Sequence, residues 1–236
     1  MRHSKKMDKQ VIIIFGPPGA GKGTQAGLLA ERSGFYYFET SKFLEKIFSS
    51  EDPKRQFKIE GKTYTAKEEK ENWTKGFLTS PPFVTQLVKE SIKKIFKEQD
   101  GLIMAGSPRT LYEAERIMPE IEKLCGKDSV KIILLEITPE ETINRNSNRR
   151  ICELMRHPIL HNKETESLMT CPLDGSRLVK RKDLDDPETI RVRIKEYTER
   201  TLPMVEYFKK NNIKIKKING EQTISDVFKD VLEATK

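Results

Sequence analysis

Two sets of residues in this chain have the types and spacing to handle phosphate. The first is Gly16-Pro17-Pro18-Gly19-Ala20-Gly21-Lys22-Gly23-Thr24-Gln25, directly after the apolar run Val11-Ile12-Ile13-Ile14-Phe15. Glycine permits the tight turning that points successive backbone N–H groups at one anion. Lys22 adds a mobile cation for outer phosphates, and Thr24 a hydroxyl for phosphate or hydrated Mg²⁺. The second set is arginine. Arg109 follows the apolar run 102–105, Arg145, Arg149 and Arg150 lie on a helix expected from Glu140, and Arg191 and Arg193 on another starting near Pro187. A planar guanidinium donates two parallel hydrogen bonds to phosphate oxygens, which an ammonium cannot. Between the last two groups runs an irregular stretch, 151–179, carrying Cys152, His157, His161, Cys171 and Asp174. A hinged flap with arginines on both flanks suits a phosphoryl-transfer site that must exclude water.

The elements that must hold these groups read as strands alternating with helices. Runs at 11–15, 34–38, 102–105, 130–137 and 213–218 are apolar or aromatic and β-prone, with helical patterns between them. That rhythm is the signature of a parallel sheet covered on both faces. Glycine-rich turn and Arg109 both follow strand ends, where such sheets bind ligands. Residues 50–75 are charged and helix-compatible, with a break at Pro53 and a turn near Gly61, and read as a peripheral subdomain. A single long helix is expected from Pro187 to about Lys210, with Asp186 as its cap.

Composition narrows the function classes. Lys+Arg number 44 against 36 Asp+Glu, a net charge of +8, which fits phosphorylated ligands or nucleic acid. The basic residues are scattered, and only one Trp and six Tyr are present, so nucleotides are expected rather than polynucleotides. No run approaches the ~18 apolar residues of a membrane span. Three cysteines point to a reducing, cytoplasmic setting. Residues 1–9 read as a disordered polar tail.

Together these pieces resemble the adenylate kinase family of nucleoside monophosphate kinases, over roughly residues 10–234. Residues 16–25 match that family's phosphate loop, with Gly23 between Lys22 and Thr24. Gly106-Ser107-Pro108-Arg109-Thr110 is similar to its Asp-Gly-Phe-Pro-Arg-Thr segment, and Asp185, Thr189 and Arg193 look like the end of its lid. The resemblance implies an α/β, P-loop NTPase-type parallel five-stranded sheet flanked by helices. Residues 10–39, 76–150 and 187–236 would form the core, 40–75 a helical monophosphate-binding insert, and 151–186 the lid. It implies a monomer that moves the γ-phosphoryl group of MgATP to a nucleoside monophosphate, AMP by default, and binds neither nucleic acid nor membrane. Gly16, Pro17, Gly19, Ala20, Gly21, Lys22, Gly23, Thr24 and Arg145 would hold ATP, with backbone near Gln222 facing its adenine. Lys22, Arg109, Arg145, Arg149 and Arg193 would carry the transfer, and Arg181 or Lys182 would add a lid cation. Thr40, Gly76, Leu78, Gly106, Arg109 and Glu113 would surround the acceptor.

The chain departs from the family pattern at several points. The acid that holds waters on Mg²⁺ is replaced by Ala105, and the arginine after the second strand by Glu45, with Lys42 and Lys46 as possible substitutes. The adenine-pairing glutamine falls at Glu113; an ionised carboxylate only accepts, which would suit guanine. Acceptors other than AMP (GMP or a pyrimidine monophosphate) and a nucleotide-binding protein with weak catalysis are therefore alternatives. The zinc knuckle of bacterial relatives reads here Cys152-x-x-Met155…Cys171-x-x-Asp174, with a thioether in the second slot. Cys152, Cys171 and Asp174 are possible Zn²⁺ ligands that His157 or His161 could complete, against a metal-free packed lid.

Overall fold

The computed structural model describes residues 9–50, 52, 55–161, 163–181 and 184–236. The expected tail up to residue 8, Pro53 and Lys182 lie outside the described residues. The first half runs β1 Gln10–Phe15, α1 Lys22–Ser33, β2 Tyr36–Glu39, α2 Thr40–Ser50, β3 Gln56–Ile59, β4 Lys62–Thr65, α3 Ala66–Thr74, α4 Pro81–Ile95, β5 Gly101–Ala105 and α5 Leu111–Cys125. The second runs β6 Val130–Glu136, α6 Pro139–Asn148, β7 Arg150–Cys152, β8 Pro158–Ile159, β9 Leu178–Val179, α7 Pro187–Glu196, α8 Met204–Lys210, β10 Ile215–Asn219 and α9 Ile224–Ala234.

β10, β6, β1, β5 and β2 form one sheet in that order, each neighbouring pair parallel. They are the five strands the sequence marks, the second and the last in chain order each beginning two residues later than expected. β1 lies in the middle, and its side chains are buried on both faces. Val11, Ile13 and Phe15 pack among Phe83, Val88, Ile117 and Phe208, from α4, α5 and α8. Ile12 and Ile14 pack among Ala26, Leu29, Val227 and Val231, from α1 and α9. Alternate residues of a strand face opposite sides, so an unbroken apolar run is what a doubly covered central strand requires. Each buried isoleucine contributes about 1.5–3 kcal/mol, which pins the end of β1 where the glycine-rich turn begins.

Three expectations need correcting. Residues 56–65 are not helical: β3 and β4 form an antiparallel hairpin turning at Glu60 and Gly61, and helix follows over Ala66–Thr74. The apolar alternation Phe57, Ile59, Tyr64 is the reason, since Phe57 and Tyr64 stack on Phe83 of the core. The helix after Pro187 is not continuous. Its ladder widens over Tyr197–Thr201, where the Leu202 N–H reaches the Tyr197 carbonyl at 2.8 Å, and it restarts at Met204. Pro203 offers no N–H, and its ring crowds the carbonyl four residues back, which the widened turn relieves. Finally, α6 ends at Asn148, so Arg149 is its cap residue and Arg150 opens β7. β7, β8 and β9 form a small antiparallel sheet of their own.

Candidate active site

The carboxyl ends of β1, β5 and β2 open into a cleft with a cavity of about 320 Å³. Its floor is the turn from Gly16 into α1. Gly16 sits at φ 150°, and a Cβ there would meet the Leu135 carbonyl oxygen at 2.3 Å, so no other residue fits between β1 and β6. Gly21 caps α1 without a side chain, leaving first-turn N–H groups for a ligand. Lys22 Nζ bends back to donate to the carbonyls of Gly16 at 2.9 Å and Pro17 at 2.7 Å. Burial, and then the charges of Arg109, Arg193 and Arg149, hold its pKa well below the ordinary lysine value. Gly16, Gly19, Ala20, Gly21, Lys22, Gly23 and Thr24 line the cleft; Pro17 does not, and contributes its carbonyl instead. On the far wall lie Gly220, fixed by its N–H on the Glu136 carbonyl, and Gln222, whose amide donates to the Asn219 carbonyl and Asp230.

Arginines close the opposite side. The Arg109 guanidinium lies across Gly106, where a Cβ would come within 2.6 Å of Nη2. Arg145 is held by Glu141 at 2.6 Å and reaches the Gly19 carbonyl at 3.5 Å. Arg149 binds both carboxylate oxygens of buried Asp185, and Arg193 approaches the same carboxylate at 3.9 Å while donating to the Leu184 carbonyl at 3.1 Å. Asp185 thus gathers two guanidiniums at the mouth of the loop. Burial lowers the pKa of Arg109, of Arg181 and of Arg193, and neighbouring arginines lower the last two further. Cations crowded in this way repel one another, and a multiply charged anion relieves the repulsion. Arg150, by contrast, turns away to the Leu168 carbonyl inside the flap.

A family model described as adenylate kinase matches residues 14–213. A Petrotoga mobilis protein named adenylate kinase is 34% identical over 224 residues, covering 93% of this chain and 94% of that one. Adenylate kinases so named from Caldicellulosiruptor saccharolyticus and Staphylococcus aureus are 30% and 32% identical, each covering 94% of this chain and 97% of the relative. The chain belongs to the adenylate kinase family. It is an ATP-dependent nucleoside monophosphate kinase, and its five-stranded parallel sheet is the one the resemblance implied.

Not all the residues expected around the acceptor reach the cleft. Gly76, Leu78, Gly106 and Arg109 line the cleft, but Thr40 and Glu113 do not. Glu113 sits in the first turn of α5, beneath the 106–110 loop, and accepts from Ser107 Oγ, Arg109 N and Thr110 Oγ1 at 3.3, 3.0 and 3.1 Å. Burial raises its pKa, and those bonds oppose the rise. Its carboxylate is engaged by the loop and lies outside the cleft lining. Thr40 is buried with its hydroxyl unpartnered. Glu45 is not compensated by Lys42, which pairs with Glu39 at 3.4 Å, and Lys46 does not line the cleft. Instead Arg181 and Arg156 reach Glu45 from the flap, each at 3.1 Å. Arg181 lines the cleft, while Lys182, the other cation the sequence left open, lies outside the described residues.

In the flap, Cys152, His157, Cys171 and Asp174 bring one ligand atom each within 4.8 Å of the others. Cys152 Sγ lies 3.0 Å from Asp174 Oδ2, and His157 Nδ1 lies 3.3 Å from the same oxygen and 3.6 Å from Cys171 Sγ. Met155 is exposed, and Arg156 at φ 57° swings His157 into the group. His161 stays outside it, beside Glu141 and Glu221. Three cleft acids escaped the sequence reading of the site: Glu39, Glu45 as an ion-pair partner, and Glu196, which accepts from the Leu78 N–H at 2.9 Å and from Arg200 at 2.8 Å. An acid at the end of the otherwise aromatic strand Tyr36–Glu39 was the available signal for the first.

Proposed function

We propose that this adenylate kinase family member transfers the γ-phosphoryl group of MgATP to AMP, giving two molecules of ADP. The crowding of Lys22, Arg109, Arg149 and Arg193 at one opening, each cation raising the cost of the next, carries this reading. In it, the loop amides and Lys22 hold the donor phosphates, with Arg145 beside them and Gln222 at the adenine edge. Arg109 holds the acceptor phosphate above Gly106, between Gly76 and Leu78. Arg149 and Arg193, oriented by Asp185, neutralise charge spreading over the transferring group, and Arg181 joins them from the lid. Little covalent chemistry is asked of the protein; it places two phosphates in line and excludes water. Residues 40–75 act as the acceptor subdomain and 151–186 as the lid. Among the described residues no helix is long and apolar enough to cross a membrane. We take the working form to be a cytoplasmic monomer; the three cysteines, none in a disulfide, support the reducing compartment.

Cys152, His157, Cys171 and Asp174 fit Zn²⁺: two thiolates, an imidazole and a carboxylate make a full tetrahedral set of its preferred donors. The bound ion would supply no chemistry to the transfer and would cross-link β7 to the Thr170–Arg177 turn, stiffening the lid. Elemental analysis of untagged protein should give about one zinc per chain, and less than ~0.2 would end this assignment.

A coupled assay across AMP, GMP, CMP and UMP tests the reaction. AMP should be turned over best, because Glu113, the reason to expect guanine, is engaged beneath the loop. Preference for another monophosphate would overturn the acceptor, and absence of turnover with all four would overturn the reaction.

A further inference from the structure

Three acids line the cleft among the described residues, and they are not equivalent. Glu45 is bound by Arg156 and Arg181, and Glu196 by the Leu78 N–H and Arg200. Glu39 stands against the phosphate loop itself. Its two carboxylate oxygens lie 3.6 and 3.8 Å from where a Gly23 Cβ would be, beside the turn that carries Lys22 and Thr24. Its charge is felt by both Lys22 and Arg109.

The surroundings fix this carboxylate in its charged form. Tyr37 Oη donates to Oε2 at 2.8 Å, Ser41 Oγ to Oε1 at 2.9 Å, and Lys42 Nζ lies 3.4 Å from Oε2. Burial pushes the acid's pKa up, but the Lys42 charge and these hydrogen bonds outweigh it, and the net shift is down. The Tyr37 phenol is pushed up by burial and by Glu39, so the proton stays on the tyrosine. An ionised carboxylate offers about four acceptor sites, more than these donors use. Placing such a group among cations that serve phosphate weakens their hold on phosphate, so its position calls for a compensating role. Mg²⁺ is a hard cation that keeps several waters and is held through one or two carboxylates together with substrate phosphates.

We infer that Glu39 is the positioning carboxylate for the magnesium of the nucleotide substrate, holding the ion's waters from the end of β2 beside the Lys22–Thr24 turn. The inference rests on the MgATP kinase reading. β2 and β5 are paired so that Glu39 lies directly opposite Ala105. Neighbouring strands are ~4.8 Å apart, so an acid at 105 would approach the same point from the next strand. Ala105 itself has no oxygen to offer from its side chain, and this gives the test a built-in rescue.

The experiment measures Mn²⁺ binding, by electron paramagnetic resonance of the free ion, to the protein complexed with a non-hydrolysable ATP analogue. Glu39→Gln should weaken Mn²⁺ about 10-fold, the size expected for losing an outer-shell ligand partner. It should raise the half-saturating Mg²⁺ in turnover by a similar factor, whereas metal-free nucleotide affinity should not fall and should rise modestly, since a charge that opposes phosphate has been removed. Glu39→Gln/Ala105→Asp should recover most of the Mn²⁺ affinity. If Glu39→Gln does not fold, Glu39→Asp, which withdraws the charge by one methylene, is read by the same criteria. Mn²⁺ affinity within about twofold of the parent, equal losses with and without metal, or no recovery in the double variant would each overturn the proposal. Turnover by the parent that needs no divalent cation would instead defeat the kinase reading, so the two failures are distinct.

Discussion

The glycine-rich cradle and the arginine side of the cleft face each other across one opening, yet they are built differently. The cradle is backbone: Gly16, Gly21 and the start of α1 fix it, and a single side chain, Lys22, adds charge. The arginine side is side chains held by other side chains: Arg149 and Arg193 by Asp185, Arg181 and Arg156 by Glu45, Arg145 by Glu141. A backbone site is set by local conformation and tolerates little substitution. A side-chain network can be rewired, one ion pair at a time, while its guanidiniums keep their place.

Breaking the cradle should therefore be the most damaging change to chemistry and the least damaging to the fold. Lys22→Met is expected to lower kcat by at least ~10²-fold through lost electrostatic stabilisation. Because it removes a buried cation crowded by Arg109, Arg193 and Arg149, the melting temperature of the free protein should not fall. Steady-state kinetics with a thermal melt checks both, and an unaltered rate would erase the distinction between the two walls.

The network should behave the other way. Asp185→Asn leaves two guanidiniums without their shared buried anion and should cost about 2–4 kcal/mol of stability, with partial recovery when a bisubstrate analogue supplies phosphate. Chemical denaturation with and without the analogue measures this. Glu45→Gln should be milder, since Glu45 keeps more solvent contact than Asp185 and one of its partners, Arg156, is exposed. Its expected effect is a two- to fivefold shift of the ligand-free lid toward open, read by fluorescence transfer between residues placed on α2 and the flap. Smallest of all, Glu113→Gln should leave the order of preference among the four monophosphates unchanged, because that side chain lies under the loop rather than in the cleft.

The same contrast explains what could be read from the chain itself. All five sheet strands and the phosphate loop follow from local rules: an unbroken apolar run, then glycines, then a helix start. The hairpin Gln56–Thr65 was hidden because its alternation is short and the polar positions of its first strand, Gln56 and Lys58, suit either structure. Long-range partnerships left no local mark. Glu45 meets Arg181 across 136 positions, and Leu78 meets Glu196 across 118, so only the folded chain pairs them. His157 was one of two candidate ligands by spacing, and the left-handed turn at Arg156 decides between them. Glu113 lies outside the cleft lining for a different reason. Thr110-x-x-Glu113 is a helix-capping pair, a local signal that a search for base contacts overrides too readily.

If one opening holds a polyphosphate between backbone amides and guanidiniums, a ¹⁵N–¹H titration with a dinucleoside polyphosphate reads that contact most directly. The expected result is large shifts confined to the amides of residues 19–24 and to the Nε–H groups of Arg109, Arg149 and Arg193. Saturable binding that leaves those amides unmoved would contradict the account.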